Sequence, residues 1–401
     1  MKLGTRDPMH AHQFLHKMLS PVMHLKRLNT LELLITGLMN DKKLSVTQLG
    51  RSLDTKAQEK NNIKRSDRFL GNRLVWQERF SIYKEISLSL IGTNNRPLII
   101  VDWSHVPNTT CYILRAAFAA KGRALTLYEE VFPKRLENNP KVHRRFLNKI
   151  KKLLPDTCVP ILITDAGFCK PWFKSVIKMG WDYVGRVRGR RCFRINDDKN
   201  IWHNYSKYRK SITQRAPEYL GEGELTKDES LKTHFYLTKL PKKYRVSLNK
   251  YKKKSGYKSD IEHAKAANEP WLLVSSLKRR AESIIKLYFF RMEIEEGFRD
   301  LKSSQFGFSF EHAYSVRIRR IQVLLMIAML AAYILFLIGC VAENNKWQYK
   351  FQANTDKKKR VLSLFYLGCR VVKKKCEIIE SGILNAMQVL QNSLAWRWEE
   401  I

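Results

Sequence analysis

The chain has 401 residues, of which 74 are Lys or Arg and 37 are Asp or Glu, so its formal net charge is +37. This excess of positive charge predicts a polyanionic partner, and nucleic acid is the commonest one. The hydrophobic fraction of 44% excludes a disordered basic tail protein, and the length allows two or three domains with cores. Seven cysteines without a CxxC pair exclude a disulfide framework and a cysteine zinc site, and they predict reduced thiols in a cytoplasmic protein.

The first 92 residues are predicted to form an all-α DNA-binding domain. Leucines recur at helical spacing between Leu28 and Leu38, and Ser45 with Gln48 forms a capping box that predicts the start of a second helix. A third predicted helix ends at Gly71, a residue type that commonly terminates helices. Short basic helices joined by tight turns are typical of helix-turn-helix docking on DNA, although any basic three-helix bundle has the same pattern.

Residues 93–342 are predicted to form an α/β catalytic domain, because the periodicity becomes strand-like near residue 97. Three antiparallel strands, then helix, strand, helix and strand, are predicted over 96–104, 111–120, 124–132, 141–154, 160–168, 170–180 and 181–189. This order is that of a ribonuclease-H-like core, in which a later helix, here 280–302, returns to the sheet. Residues 190–265 are predicted to be a β-rich insertion with a basic run at 242–258.

One uncharged segment raises the question of a membrane. Residues 321–342 carry no charge over 22 residues, which is the usual length of a membrane-spanning helix. Both flanks are cationic, whereas spanning helices have asymmetric flanking charge, so we expect a helix buried in the core and no membrane partner. The tail, 343–401, is predicted to be helical, with dimerisation as its candidate role.

Residues 288–302 are predicted to form a single helix with two adjacent stripes. One stripe is apolar and anchors the helix in a core: Leu287, Phe290, Ile294, Phe298 and Leu301. The next, about 100° further round the helix, places a carboxylate between cations: Tyr288, Arg291, Glu295, Arg299 and Lys302. Such an edge can hold a metal and phosphates, whereas the alternative is an exposed helix with local ion pairs. Glu293 and Glu296 lie off this stripe and are expected to be solvated.

Three acidic residues are candidates for a metal site. Asp102 lies in an otherwise apolar strand, where an unpaired charge would be costly, and Asp165 ends another such strand. A structural partner explains either Asp alone as well as a metal does. In a ribonuclease-H-like core both would meet Glu295 of the returning helix, and three carboxylates suit Mg²⁺ as hard oxygen ligands. Two such ions would activate the attacking oxygen and stabilise the leaving oxygen of a phosphoryl transfer.

These residues resemble the signature of a known family. The pattern Y-x2-R-x3-E-x6-K matches residues 288–302 at every spacing, and VDWS at 101–104 and TDAGF at 164–168 look like two Asp motifs. The chain therefore resembles the bacterial insertion-sequence transposases of the DDE type with a Tyr-Arg-Glu-Lys signature (insertion-sequence family four). The resemblance runs from about residue 24 into the tail.

The resemblance implies a function, cofactors and partners. Such enzymes cut a transposon free at both ends, commonly through a DNA hairpin, and insert it elsewhere. Asp102, Asp165 and Glu295 would be the catalytic metal triad, with two Mg²⁺ ions that Mn²⁺ can replace. The partners would be double-stranded DNA, as terminal inverted repeats and as target, and a second copy of the chain in a homodimeric synaptic complex. The protein would act in the bacterial cytoplasm, at the nucleoid.

The resemblance also implies DNA contacts. Tyr288 and Arg291 would hold the phosphate of a flipped nucleotide during hairpin formation, and Lys302 would contact the DNA end. Trp271 is similar in position to the aromatic residue that stacks on or replaces the flipped base, but an ordinary core tryptophan is an equally good interpretation. Arg299 occupies a cationic position on the same stripe and could hold a phosphate bidentately.

The sequence is also compatible with further DNA contacts and with other functions. Arg186 and Arg188, on the strand after the second Asp, are candidate DNA contacts, with simple surface charge as the alternative. The protein could instead be a metal-dependent nuclease without strand transfer, or a DNA-binding protein with an inactive site. The Tyr-Arg pair and Trp271 distinguish these functions, because hydrolysis alone requires no clamp for a flipped base.

Overall fold

A computed structural model describes residues 11–120, 122–196, 201–213, 216–241, 254, 256–257, 268–353, 356 and 358–399. Over these residues the protein is a mixed α/β structure, consistent with the predicted ribonuclease-H-like core. The chain divides into two compact units: the first is Met1–Asn139, Asn148–Cys158 and Met292–Glu400, and the second is Pro140–Leu147 and Val159–Arg291. All seven cysteines are free thiols, as the sequence predicts.

The first unit begins with helices. They are α1 (Ala11–Leu19), α2 (Leu25–Asp41), α3 (Val46–Arg51), α4 (Glu59–Gly71) and α5 (Arg73–Ile91). Ser45 caps α3 by accepting the backbone N–H of Gln48 on its Oγ at 3.4 Å, and α4 ends at Gly71, so both predicted helix limits are confirmed. α3 and α4 approach closely, because a Cβ on Gly50 would lie only 2.4 Å from the Cα of Ile63.

Three antiparallel strands of the first unit follow these helices. They are β1 (Leu98–His105), β2 (Cys111–Ala120) and β3 (Arg123–Pro133), in the spatial order β3-β2-β1. Gly122, with φ +77°, lies in the turn between β2 and β3, where the left-handed conformation favours glycine. Helix α6 (Pro140–Leu153) comes next in the chain, as predicted.

The first unit is completed by helices from the last third of the chain. They are α10 (Met292–Lys302), α11 (Ile318–Asn344), α12 (Gln348–Phe351), α13 (Leu364–Lys373) and α14 (Glu380–Glu399). The 27-residue helix α11 is long and apolar enough to cross a membrane, but 94% of its most apolar window is buried inside the protein. It packs against α2, α5, α13, α14 and β3, so the predicted buried helix is confirmed.

The second unit contains a β-sheet, and helices follow several of its strands in the sequence. Its elements are β4 (Ile161–Thr164), α7 (Lys170–Lys178), β5 (Asp182–Val187), β6 (Cys192–Ile195), β7 (Trp202–Asn204), α8 (Tyr205–Tyr208), β8 (Glu218–Leu225), β9 (Leu231–Thr238), β10 (Trp271–Ser275) and α9 (Ala281–Phe289). The strand order is β4-β5-β10-β9-β8-β6-β7; β4 and β5 are parallel and the other pairs are antiparallel. The insertion is β-rich, as predicted. Its basic run at 242–258 lies outside the described residues except for Lys254, Gly256 and Tyr257.

The prediction of a single helix over 288–302 is wrong, because the chain forms two helices there. Helix α9 ends at Phe289 and α10 begins at Met292. The backbone N–H of Arg291 donates to the carbonyl of Tyr288 at 3.1 Å, a tighter bond than the α-helical one. The apolar periodicity did not reveal the break, because it continues from one helix into the next. Buried residues of the apolar stripe lie before the break (Leu287) and after it (Ile294, Phe298 and Leu301). Periodicity reports side-chain burial, not the continuity of backbone hydrogen bonds.

Two glycines allow a close contact between helices α11 and α13. A Cβ on Gly368 of α13 would lie 1.9 Å from the carbonyl oxygen of Leu335 in α11, and a Cβ on Gly339 would lie 2.0 Å from that of Leu364. We predict that Gly368→Ala lowers the free energy of unfolding by about 1–3 kcal/mol, because backbone atoms must move apart. Differential scanning calorimetry would measure this loss.

Gly382→Ala is the matched control for this experiment. Gly382 also lies in a helix, α14, but its added Cβ would meet its nearest neighbour, a methyl group of Val341, at an ordinary 3.5 Å. This variant should be as stable as the wild type or slightly more stable, because Ala favours helix over Gly by about 1 kcal/mol. Equal melting temperatures for the two variants would contradict the close contact between α11 and α13.

Candidate functional site

Asp102 lies on β1 of the first unit, in a row of charged residues. Its Oδ1 accepts the backbone N–H of Trp103 at 2.8 Å, and its side chain is half-buried. In the antiparallel register Asp102 is opposite Arg115 of β2, and Arg115 is opposite Glu129 of β3. Since directly opposite residues share one face of a sheet, the three charges follow one another across three strands.

Arg115 and Glu129 form a fully buried ion pair in this row. Arg115 Nη2 lies 2.7 Å from Glu129 Oε2, and the hydroxyl of Tyr83 donates to Glu129 Oε1 at 3.1 Å. Burial, reinforced by the negative charge of Glu129, raises the pKa of Tyr83 well above its ordinary value, so the phenol remains a donor. The sequence analysis missed this pair, although charged residues within the apolar runs 111–120 and 124–132 were a signal for it.

Lys302 at the end of α10 lies beside the same strand. Its Nζ donates to Ser104 Oγ at 2.7 Å and lies 5.6 Å from the centre of the Phe298 ring. Burial and the positive charge of Arg115 lower the pKa of Lys302 to about 8, while the negative charge of Asp102 opposes the shift. The first unit therefore brings Lys302 close enough to Asp102 for their charges to interact.

The other acidic residues of α10 differ in what they contact. Glu295 is exposed. Glu296 pairs with Arg299 and lies 3.6 Å from Arg123, and Glu293 accepts the backbone N–H of Gly122 at 3.3 Å. The expectation that Glu293 and Glu296 are merely solvated is wrong, because both fasten α10 to the turn between β2 and β3.

Asp165 of the second unit directly follows β4 and lines an open cavity of about 480 Å³, here called the Asp165 cavity. Its Oδ1 accepts the backbone N–H of Gly167 at 2.8 Å, which fixes the carboxylate at the strand end. The other lining residues are Ala166, Gly167, Arg188, Gly189, Tyr205, Ser206, Arg209 and Glu269. Glu269 accepts a hydrogen bond from Arg188 Nε at 2.8 Å and also pairs with Arg209.

Trp271 lies at the start of β10, at the centre of an aromatic and cationic group that we call the Trp271 cluster. Its ring centre is 4.9 Å from that of Tyr288, edge-on, and 5.0 Å from that of Phe289. Arg186 Cζ lies 5.8 Å from the centre of the Trp271 ring, and Arg291 Cζ lies 5.9 Å from that of Tyr288. Tyr288 is buried, whereas Trp271 is only half-buried.

The segment 269–271 connects the Trp271 cluster to the Asp165 cavity. Glu269 lines the cavity and Trp271 belongs to the cluster. The carbonyl of Pro270 between them accepts the hydroxyl of Tyr205 at 2.7 Å and Arg186 Nη2 at 3.5 Å. Tyr205, Arg209 and Glu269 were not predicted from the sequence, because no recognisable motif contains them. Tyr205 and Arg209 lie in the insertion, and Glu269 follows it.

The three candidate metal ligands are distributed over both units. Asp102 and Glu295 belong to the first unit and Asp165 belongs to the second. In the part of the chain that the structure describes, no three His, Cys, Asp or Glu side chains lie close enough together to form a metal site. The donor type fits Mg²⁺, because carboxylate oxygens are ligands that this ion prefers. Asp102 and Asp165 each accept a backbone N–H on Oδ1, which helps to orient the carboxylate.

Comparison with protein-family models identifies the family of the chain's central part. The model of the family described as "Transposase DDE domain" matches residues 93–335, which is more than half of the chain. The matched range contains Asp102, Asp165, Trp271 and Glu295. A search of curated proteins found no match to the chain.

The buried ion pair beside Asp102 yields a stability prediction. Glu129→Gln removes the carboxylate that forms the buried ion pair with Arg115, so a buried positive charge loses its paired counter-charge. We expect the free energy of unfolding to fall by about 3–5 kcal/mol, the usual cost of breaking a buried pair. Urea denaturation would measure the loss.

Glu59→Gln provides the comparison on the surface. Glu59 pairs with Arg51 at 2.8 Å, but both side chains are at least half exposed. Breaking this pair should cost about 1 kcal/mol or less, because water screens both charges. If both variants lose the same small amount, Arg115 does not depend on Glu129.

Proposed function

The chain belongs to the family of transposases with a DDE domain, and from this premise we propose that it catalyses cut-and-paste transposition of its own insertion sequence. Membership makes the protein a metal-dependent enzyme that transfers DNA strands. We infer that it belongs to the Tyr-Arg-Glu-Lys group (insertion-sequence family four) and resembles the transposase of the tetracycline-resistance composite transposon. Its reaction would comprise strand cleavage, formation of a DNA hairpin and strand transfer.

Asp102, Asp165 and Glu295 are the proposed catalytic and metal-binding residues. Their carboxylates would hold two Mg²⁺ ions, which Mn²⁺ can replace. When bound, these ions supply the charge that activates the attacking oxygen and stabilises the leaving oxygen. The proposal is supported by the position of all three residues in the family match and by the exposure of the Glu295 side chain.

Cations near these carboxylates would bind and orient the DNA backbone. Lys302 is held by Ser104, and with a pKa of about 8 it remains mostly charged at neutral pH, so it can contact a phosphate of the DNA end. Arg188 and Arg209, both oriented by Glu269, line the cavity that contains Asp165 and would hold the phosphate there. Arg299 is exposed on α10 and would exchange Glu296 for a phosphate.

The single observation that carries hairpin formation is the link between the Trp271 cluster and the Asp165 cavity. A hairpin forces at least one base out of the stack, and this base needs another π-face. Trp271 offers a half-exposed ring two residues from Glu269, a residue of the cavity wall. Tyr288 would support that ring from its edge, and Arg186 and Arg291 would bind the displaced phosphate. A nuclease without strand transfer would have no use for this cluster.

Recognition of the element's ends is assigned to the N-terminal helices. Lys60, Lys64 and Arg68 of α4 are all exposed and spaced four residues apart, so they form one basic edge of that helix. We propose that α4 docks on the terminal inverted repeats, in a homodimeric synaptic complex, within the bacterial cytoplasm at the nucleoid. The basic run at 242–258 would add affinity that is independent of sequence.

The first test addresses the three carboxylates. Asp102→Asn, Asp165→Asn and Glu295→Gln should each abolish Mg²⁺-dependent cleavage of a duplex that carries the inverted repeat flanking the gene. Binding to that duplex should remain, because Lys and Arg provide the phosphate affinity. Gel assays would separate cleavage from binding. The control is Glu296→Gln, which removes an adjacent carboxylate and should still cleave; loss of cleavage in the control alone would assign the third ligand to Glu296.

The second test separates a transposase from a plain nuclease. Trp271→Ala removes a stacking surface worth about 1–3 kcal/mol, so hairpin formation should slow by roughly 5- to 150-fold. First-strand nicking should persist, because it requires no flipped base, and nicked DNA should accumulate on a denaturing gel. Trp271→Phe keeps an aromatic ring and should restore much of the hairpin product. If Trp271→Ala slows both steps equally, the ring supports only the fold or general DNA binding, and the nuclease interpretation gains.

A further inference from the structure

Three arginines surround a tight turn in the second unit. Residues 188–191, Arg-Gly-Arg-Arg, connect β5 to β6, and we call them the arginine turn. Gly189 has φ +75°, a left-handed conformation that other residues adopt only with strain. An added Cβ on Gly189 would meet nothing within 4 Å, so the apex of the turn faces open space.

The backbone of the arginine turn is held by its neighbours. The side-chain amide of Asn204 donates to the carbonyl of Arg190 at 3.1 Å, and the backbone N–H of Tyr205 donates to that of Arg191 at 2.9 Å. Arg191 Nη2 also donates to Cys169 Sγ at 2.6 Å. The turn therefore presents its cations from a fixed backbone, which reduces the conformational entropy lost when they bind an anion.

A second turn faces the arginine turn across an open groove of about 630 Å³. The groove is lined by residues 188–192 on one side and by residues 226–228 on the other. The backbone N–H of Thr226 donates to the carbonyl of Cys192 at 2.9 Å, which ties the two turns together. Lys227 is exposed on the second turn, and Asp228 is the single acid among the described lining residues. Four cations therefore outnumber one carboxylate along this groove.

The groove adjoins the Asp165 cavity. Arg188 and Gly189 line both spaces, so the arginine turn forms the boundary between them. On the cavity side Arg188 is already paired with Glu269, whereas on the groove side Arg190 is exposed. A polyanion with one phosphate beside Asp165 would reach the groove by passing over Gly189, where the absence of a side chain leaves room.

We propose that this groove binds the backbone phosphates of duplex DNA next to the phosphate that is cleaved, independently of base sequence. The arginine turn and Lys227 supply the positive charge, and contacts to phosphate oxygens carry no sequence information. The proposal rests on the proposed function, in which Asp165 belongs to a DNA-cleaving site. It adds Arg190, Arg191 and Lys227 to the residues that contact DNA.

The test is the double variant Arg190→Gln/Lys227→Gln, which removes the two exposed cations of the groove. Binding to a short duplex of arbitrary sequence would be measured by fluorescence anisotropy at several NaCl concentrations. Each lost phosphate contact reduces the slope of log affinity against log salt by about 0.9, so the slope should become less steep by about 1.8. An unchanged slope would overturn the proposal.

The matched control is Lys178→Gln/Lys232→Gln. Both lysines are exposed in the same unit, on α7 and β9, and neither lines the groove or the Asp165 cavity. This control removes the same net charge and should leave the slope unchanged; an equal reduction would mean that only net charge matters, and would overturn the groove. If the double variant has a lower melting temperature than the wild type, Lys227→Glu alone is tested instead. The slope of log affinity against log salt should become less steep in Lys227→Glu and stay at the wild-type value in Lys232→Glu.

The proposed function is tested separately, by measuring Mg²⁺-dependent cleavage by the wild-type protein. A flattened slope in a protein that does not cleave would keep the DNA groove and refute the cleavage function on which its position beside the cleaved phosphate depends. Cleavage by the wild type together with an unchanged slope in Arg190→Gln/Lys227→Gln would refute the groove alone.

Discussion

The first unit depends on burying one helix that carries no charge along most of its length. Helix α11 has no polar face, so its whole circumference must be removed from water. Helices α2, α5, α13 and α14 and strand β3 cover it, which places the N-terminal helices and the tail around one core. Gly339 and Gly368 allow the backbones of α11 and α13 to touch, and this closeness gives dispersion contacts that larger residues would prevent.

The same core supports the charges around Asp102. Strand β3 packs on α11 and also carries Glu129, whose buried pair with Arg115 lies in the same cross-strand row as Asp102. Burying such a pair is costly unless its hydrogen bonds are satisfied, and Tyr83 from α5 supplies one of them. Burial, together with the positive charge of Arg115, lowers the pKa of Lys302. The packing of β3 on α11 therefore also supports the charged residues around Asp102.

The four-residue signature combines two chemical environments. Tyr288 lies in α9 and Arg291 lies in the break between α9 and α10, and both belong to the aromatic and cationic group around Trp271. Glu295 and Lys302 lie after it, with an exposed carboxylate and a lysine held against β1. In the proposed function the first environment holds an unstacked base and its phosphate, and the second contributes to metal binding and holds the DNA end. In the proposed function, the residues of one short sequence motif therefore have two separate roles.

The sequence alone determined what depends on periodicity, capping and motif spacing. It predicted the order of strands and helices from 97 to 189, the start of α3, the end of α4 and the buried helix α11, because local hydrogen bonding and hydrophobic periodicity are encoded within a few neighbouring residues. It also predicted a DDE transposase, because the motif spacing resembles that family's signature. Only the tertiary structure revealed the break at Phe290 and Arg291, the Arg115–Glu129 pair, and the joining of the Asp165 cavity to Trp271 through Glu269. The Arg115–Glu129 pair and the Asp165 cavity arise from contacts between residues distant in the chain, and a charge in an apolar run does not by itself identify the partner that neutralises it.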